Sequence, residues 1–254
     1  MDFDISRLLD DWEYKPGQMS VRKFTAKDGT EKIQLRLDLG VLQMNASGRP
    51  DGKRPFGYPS LLEYYKARLH KFVADHDGSD EGFALDAEAC AKLQMEALQY
   101  HHRYICLLEL GDYNAVIRDT ERNLEVFDFA DKQAESDELS WALQQFRAQL
   151  LMIQARARAT LLLQAEDFHG ALTEIEASLE KIRQFYRDYS REDLIEDSPE
   201  IASLESWRDE IQAKRPLSKK EKLELALNDA VQREDYEKAA QVRDALRNLK
   251  TDDA

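Results

Sequence analysis

Cysteine and long apolar runs are scarce in this chain of 254 residues, and each scarcity excludes a class of protein. The two cysteines, Cys90 and Cys106, cannot form a disulfide framework or a four-thiolate zinc site, which favours a reducing, cytoplasmic setting. No run of 18 apolar residues is present, so we expect no membrane-spanning helix. The N-terminus is acidic and amphipathic, unlike a secretory signal.

Basic residues are also outnumbered, because 36 Lys and Arg face 50 Asp and Glu, giving a net charge of −14. The excess lies in residues 61–213, which hold 16 basic and 32 acidic side chains. The flanking segments are nearly neutral. A field of this sign repels phosphate backbones, so nucleic acid is an unlikely partner.

Glycine and proline are concentrated near the N-terminus, with eight of ten glycines before residue 83 and four of six prolines before residue 60. Both residues interrupt helices. The sequence therefore predicts a mainly α fold with a small β-hairpin and loop region at 1–59, a helical array at 60–215 and a helical hairpin at 216–254.

Alternating apolar and polar residues over Ile33–Leu39 predict a strand, in which the odd-numbered apolar side chains face one way and Gln34, Arg36 and Asp38 the other. Asp28-Gly29 precedes it and is typical of a tight hairpin turn. We expect strands only within Val21–Met44, where 40–44 either extends the second strand or forms another.

From residue 60 the apolar period becomes 3.6, which is typical of amphipathic helices. Ser60 and Glu63 form a predicted capping box, as do Ser218 and Glu221, and Ser198 is a predicted N-cap before Pro199. Helices are predicted over 60–74, 86–110, 112–129, 138–165, 167–189 and 199–214.

One signature occurs three times between apolar-striped helices: Gly111-Asp112-Tyr113, Glu166-Asp167-Phe168 and Glu234-Asp235-Tyr236. The Asp is placed to cap the following helix. The aromatic residue is expected to pack back on the preceding helix, and a small residue follows in the next turn, at Ala115, Ala171 and Ala239. This pattern predicts antiparallel helical hairpins.

The first two hairpins resemble tetratricopeptide repeats, since Ala159, Phe168 and Ala171 stand where that family places small and aromatic packing residues. The spacing of 55 residues between Asp112 and Asp167 exceeds the 34-residue repeat. The resemblance implies an array that binds peptides or proteins, and a plain structural bundle is an equal alternative.

The third hairpin closely resembles the UVR motif, which is found in the excinuclease proteins UvrB and UvrC. The family also includes a regulator of bacterial arginine phosphorylation and Clp proteolysis, and chloroplast stress-signalling proteins. The resemblance implies a helical hairpin that mediates protein–protein association, often with another UVR hairpin. The matching residues are Leu223, Leu227, Ala230, Val231, Asp235 to Ala240, Arg243, Asp244 and Leu249.

Apolar stripes on the two helices of this hairpin agree with that resemblance. One comprises Leu223, Ala226, Leu227, Ala230 and Val231, and the other Tyr236, Ala239, Val242, Leu246 and Leu249. Two helices of this length are marginal alone, so the hairpin needs a third surface from its own chain, a second copy or a partner. The predicted partner-binding residues are Leu225, Tyr236, Ala240, Arg243 and Asp244.

Catalytic and metal-binding motifs are not found in the sequence. The five histidines form no H-E-x-x-H, and P-loop and G-x-S-x-G motifs are missing. The acidic stretch Asp75–Asp80 has its glycine out of register for a calcium loop. We therefore predict a non-enzymatic interaction or scaffold protein with no cofactor or metal, which docks onto a protein partner or a homo-oligomeric second copy.

The loop Gly48–Gly57 is the main competing feature, because it combines three cations with glycine and proline. Arg49, Lys53 and Arg54 are candidate anion-binding residues, so a regulatory domain at 1–60 that binds a phosphate or another small ligand is one alternative. Ion pairing of this loop to the acidic helices of the same chain is another. A third alternative is an accessory role in nucleotide excision repair.

Overall fold

A computed structural model describes residues 4–216 and 219–252 and gives a mainly α protein, with about two thirds of the chain in helices. The chain forms two compact units, Met1–Arg208 and Asp209–Ala254. The first contains the sheet and the central helices, and the predicted division at 59/60 within it stays a prediction. The second contains the helical hairpin. The helices are α1 Ser6–Asp10, α2 Leu61–Asp75, α3 Ala87–Glu109, α4 Tyr113–Gln133, α5 Asp137–Gln144, α6 Arg147–Gln164, α7 Phe168–Asp188, α8 Asp193–Glu196, α9 Pro199–Lys214, α10 Lys219–Gln232 and α11 Tyr236–Asp252.

Three antiparallel strands, β1 Ser20–Thr25, β2 Glu31–Leu37 and β3 Gly40–Asn45, form a sheet in chain order. The hairpin turn has Gly29 at φ 80°, as Asp-Gly predicted. Residues 40–45 form a separate third strand.

The faces of β2 differ from what simple alternation predicts. Ile33 is fully buried, yet Leu37 is 46% exposed, while Gln34 and Arg36 are buried. Leu39, which is expected to continue the apolar face, lies in the turn after β2 and is 88% exposed. Arg36 is buried because its Nε donates to the carbonyl of Trp12, 2.7 Å away, so the N-terminal segment covers this face. The alternation of apolar and polar residues along a strand does not indicate whether a segment from elsewhere in the chain covers its polar face.

In the first unit the long helices pack in sequence, α3 against α4, α4 against α6 and α6 against α7. The expected helix over 138–165 is wrong in one respect, because it is broken into α5 and α6 at Gln145 and Phe146. The buried Gln144 lies directly before this interruption, and its Nε2 donates to the carbonyl of Phe127 on α4 at 2.8 Å. This contact holds the end of α5 against α4.

The three repeated turns have one geometry, shown by that between α6 and α7. Glu166 has φ 60°, its N–H donates to Leu163 O, and the N–H of Asp167 donates to Leu162 O. These two bonds make a Schellman motif. Asp167 Oδ1 then accepts the N–H of Gly170 at 2.8 Å, so one Asp ends one helix and caps the next. Gly111-Asp112 and Glu234-Asp235 repeat this pattern.

Other local predictions are also confirmed. Ser60 Oγ accepts the N–H of Glu63 at 3.3 Å, and Ser198 Oγ accepts that of Ile201 at 3.3 Å. The Glu63 carboxylate does not complete the predicted box and pairs instead with Lys66 at 3.6 Å. The predicted capping box at 218–221 begins outside the described residues.

Candidate interaction surface

The hydrogen bonds of its turn and the packing of two buried alanines hold the C-terminal hairpin together. The N–H of Asp235 donates to Ala230 O at 2.9 Å, and Asp235 Oδ1 accepts the N–H of Lys238 at 3.1 Å. Between residues 222 and 247, whose side chains the structure describes, only Ala230 and Ala239 are buried. The small side chains let α10 and α11 approach closely, as the sequence predicts for Ala239.

Several large apolar side chains of the hairpin face solvent. Leu225 is 55% exposed, Val231 51% and Tyr236 71%. The assignment of Val231 and Tyr236 to the inner stripes is therefore wrong, and so is the expected packing of Tyr236 on the preceding helix. A two-helix hairpin supplies no third layer to cover side chains at its turn. Leu249, also assigned to a stripe, lies outside the described side chains.

Four of the five predicted partner-binding residues lie along one face of α11. Tyr236, Ala240, Arg243 and Asp244 follow the spacing i, i+4, i+7 and i+8, which places them in one row. Ala240 is half-buried, while Arg243 and Asp244 are exposed and pair with each other at 3.0 Å. Leu225 lies on α10, so the fifth residue belongs to the other helix.

The hairpin surface is electrically neutral overall, unlike the central helices. Residues 219–252 contain eight basic and eight acidic side chains. Leu225, Val231 and Tyr236 are thus exposed among charges of both signs.

The basic loop lies in the first unit, and there Arg49 is bound by carboxylates of its own chain. Its Nε contacts Glu96 Oε2 at 2.7 Å, and its Nη1 contacts Asp51 Oδ2 at 2.7 Å. Lys53 and Arg54 are exposed, and neither pairs with a carboxylate among the described residues. The anion-binding role therefore stays a prediction that best suits Lys53 and Arg54.

Two buried acidic residues anchor this loop, and sequence analysis missed both. Glu96 also accepts the N–H of Leu61 and contacts Arg122. Asp119 pairs with Arg103 at 2.6 Å, and both side chains are only 1% exposed. No local signal marks these residues, because a charged residue on a helix usually faces solvent.

Arg103 extends the anchor to the backbone of the loop. Its Nη1 donates to the carbonyl oxygens of Asn45 and Gly48, at 3.0 and 2.7 Å. The neighbouring Arg118 donates to Ala46 O at 3.1 Å. Helices α3 and α4 thus hold the chain that follows β3.

Cys90 and Cys106 are buried, and burial raises the pKa of Cys106 to about 11, so its thiol stays protonated at neutral pH. The described residues contain no cluster of three or more His, Cys, Asp or Glu that could hold a metal ion. Within the same residues, no helix is long and apolar enough to cross a membrane.

Comparison with known proteins identifies the hairpin. The sequence model of the UvrB/uvrC motif, UVR, matches residues 218–252. Neither the curated proteins nor the solved structures contain a match to the chain. The motif therefore describes the C-terminal hairpin, while the tetratricopeptide-like character of the central helices stays a prediction.

Proposed function

We propose that the chain is a non-catalytic interaction protein that docks onto another protein, a partner or a second copy, through its C-terminal hairpin. The main observation in support of this proposal is that the hairpin is well formed but buries few apolar side chains. Its buried side chains between residues 222 and 247 are two alanines, whereas Leu225, Val231 and Tyr236 are more than half exposed.

The energetics favour docking of such a hairpin. Two short helices gain little from helix propensity alone and depend on the burial of an apolar face. Full burial of a side chain such as Leu225 or Val231 contributes about 1.5–3 kcal/mol relative to exposure. A partner surface that covers these side chains supplies the third layer that the hairpin lacks.

Site-specific photocrosslinking in cells tests this proposal. The full chain carries a benzophenone amino acid at Tyr236 or Leu225, and a matched chain carries it at the exposed Leu39 of the sheet turn. We expect discrete adducts from positions 236 and 225 only. An adduct of twice the chain mass identifies a second copy, and any other mass identifies a different partner.

A substitution on the same face tests whether the surface is specific. Ala240→Glu places a carboxylate on the α11 row, where docking requires it to lose water at a cost of several kcal/mol. We expect the adducts to disappear while the hairpin stays helical. Gln241→Glu, at an exposed neighbouring position, is the matched control and keeps them. Ala239→Glu, at the buried seam, unfolds the hairpin instead.

Two outcomes would refute the docking role. One is crosslinking from Tyr236 and Leu225 no stronger than from Leu39. The other is unchanged adducts in Ala240→Glu.

A second candidate, an accessory role in nucleotide excision repair, is supported by the UVR match alone. Crosslinking of the purified chain to purified UvrB tests it. An adduct from Tyr236 that Ala240→Glu abolishes supports this role, and the lack of one argues against it.

A further inference from the structure

A cavity of about 410 Å³ opens in the first unit between α3, α4 and the junction of α5 and α6. This volume lies within the range of small-molecule sites. Its floor is apolar and deeply buried, since each of the large side chains there is at most 4% exposed: Tyr104, Phe127, Leu143 and Leu150.

Three large apolar side chains form the rim of this cavity. Met95 is 63% exposed, Leu98 42% and Phe146 45%. A single exposed apolar residue is ordinary on a protein surface. Three that converge on one opening in a chain with 34% charged residues indicate a site that an apolar molecule covers.

The rim residue Phe146 lies at the junction between α5 and α6. The backbone of Gln145 and Phe146 stays in the right-handed helical region there, and the sequence around it contains neither proline nor glycine. Polar contacts flank the junction on both sides. Gln144 donates to Phe127 O, and Arg147 contacts Gln144 Oε1 and Asp128 Oδ1, both at 2.6 Å. Arg147 is thereby engaged with α4.

The cavity offers no charge to a ligand. Among the residues that the structure describes, those that line it include no Asp, Glu, Lys or Arg. Its one titratable imidazole, His101, lies 2.7 Å from the Tyr104 hydroxyl through Nδ1. Burial and the neighbouring His102 hold the pKa of His101 below its usual value, so the ring is neutral at pH 7. A buried anion would find no cation here, at a high cost in free energy.

We propose that this cavity binds an uncharged, largely apolar organic molecule with one polar group. That group forms a hydrogen bond with the lining amides Gln94 and Gln149 or with the imidazole of His101. The depth of the site favours a small molecule over a protein, because a protein surface would contact the rim and leave the floor uncovered. The apolar floor supplies the burial, and the few polar groups orient the ligand.

A matched pair of fluorescent probes tests the proposal with the full chain. N-phenyl-naphthylamine is neutral, and anilinonaphthalene sulfonate adds one sulfonate to the same rings. We expect saturable binding of one neutral probe per chain, at least about tenfold tighter than the anionic probe. Titration in 1 M salt, where the Debye length is about 3 Å, removes the general repulsion by the acidic chain.

Substitutions at the rim locate the binding. Phe146→Glu and Met95→Glu, both at exposed positions, should each weaken binding of the neutral probe about tenfold or more. Phe146→Arg should instead tighten binding of the sulfonate probe, because it places a cation at the opening. Leu39→Glu, on the sheet turn and outside the cavity lining, is the control and leaves both affinities unchanged. Circular dichroism confirms that each variant keeps its helices.

Three results would overturn the proposal. The first is no saturable binding of the neutral probe to the unmodified chain. The second is equal affinity for the two probes in 1 M salt. The third is unchanged binding in both Phe146→Glu and Met95→Glu, which would place the probe on another apolar surface.

Discussion

The central helices and the C-terminal hairpin contain the same turn, yet they differ in what covers it. The residues after the capping Asp are Tyr113 and Phe168 in the first unit, and both are half-buried. Tyr236 occupies the same place in the second unit and is 71% exposed. The small residue one turn later is buried in all three cases. A shared local motif thus forms a hairpin in both units, while neighbouring elements decide whether its apolar side chains become core or surface.

The difference extends to charged residues. Arg103 and Asp119 in the first unit pair at 1% exposure each and hold a loop, whereas Arg243 and Asp244 in the second pair at 69% and 63% exposure. The same ion-pair chemistry therefore has different consequences. A buried pair is costly to break, while an exposed pair contributes little to stability.

The largest expected effect comes from breaking the buried pair. Arg103→Met removes the buried cation that faces Asp119 and leaves this buried carboxylate with only the half-exposed Arg118. We expect the free energy of unfolding to fall by about 3 kcal/mol. Urea denaturation measures this change. Arg118→Met is the matched control, because Arg118 contacts the same carboxylate at 2.9 Å but is 48% exposed, so we expect a loss below about 1 kcal/mol. Equal losses in the two variants would contradict the importance we give to burial.

We expect an intermediate change in stability when a turn residue is replaced, and the change should have the same sign in both units. Glu166 and Glu234 have φ 60° and 57°, a strained region for side chains other than glycine. Glu166→Gly and Glu234→Gly should each stabilise their turn by about 1 kcal/mol. Urea denaturation checks the first, and amide hydrogen exchange of α10 checks the second.

Gly111 provides the reverse substitution for the same turns. It has φ 71° and no atom within 4 Å of an added Cβ, so Gly111→Ala should destabilise through backbone strain alone, by about 1 kcal/mol. Opposite signs for Glu166→Gly and Glu234→Gly would show that the turns are not equivalent.

The smallest effect is expected at the exposed pair of the hairpin. Arg243→Ala should change amide exchange stability by no more than about 0.5 kcal/mol, yet it should reduce crosslinking from Tyr236, since both residues lie in the α11 row. Arg187→Ala, which removes a solvent-exposed pair with Glu180 in the first unit, should change neither readout. If Arg243→Ala unfolds the hairpin, the Arg243–Asp244 pair stabilises the fold, which would contradict this prediction.

The sequence predicted the elements whose hydrogen bonds are local. The caps at Asp167, Ser60 and Ser198 and the turn at Gly29 all form between residues at most five apart, so the residue types at those positions are sufficient evidence. The UVR hairpin could be recognised for the same reason, since its identity lies in one continuous segment.

The sequence did not predict features that depend on distant partners. Gln144, beside the interruption at Phe146, reaches a carbonyl on α4, and the buried Arg36 reaches the carbonyl of Trp12. The candidate cavity lies at the same junction of α5 and α6. Neither residue type indicates such a contact, because Gln and Arg are ordinarily exposed.

By itself the sequence determined most of the helices and strands, the tight turns and the C-terminal motif, because backbone geometry and capping depend on near neighbours. Only the tertiary structure decided which apolar faces are covered and which charges are buried. Glu96 meets the backbone of Leu61, 35 positions away, and Arg103 meets that of Gly48, 55 positions away. Burial depends on how elements pack together, and no local pattern contains that information.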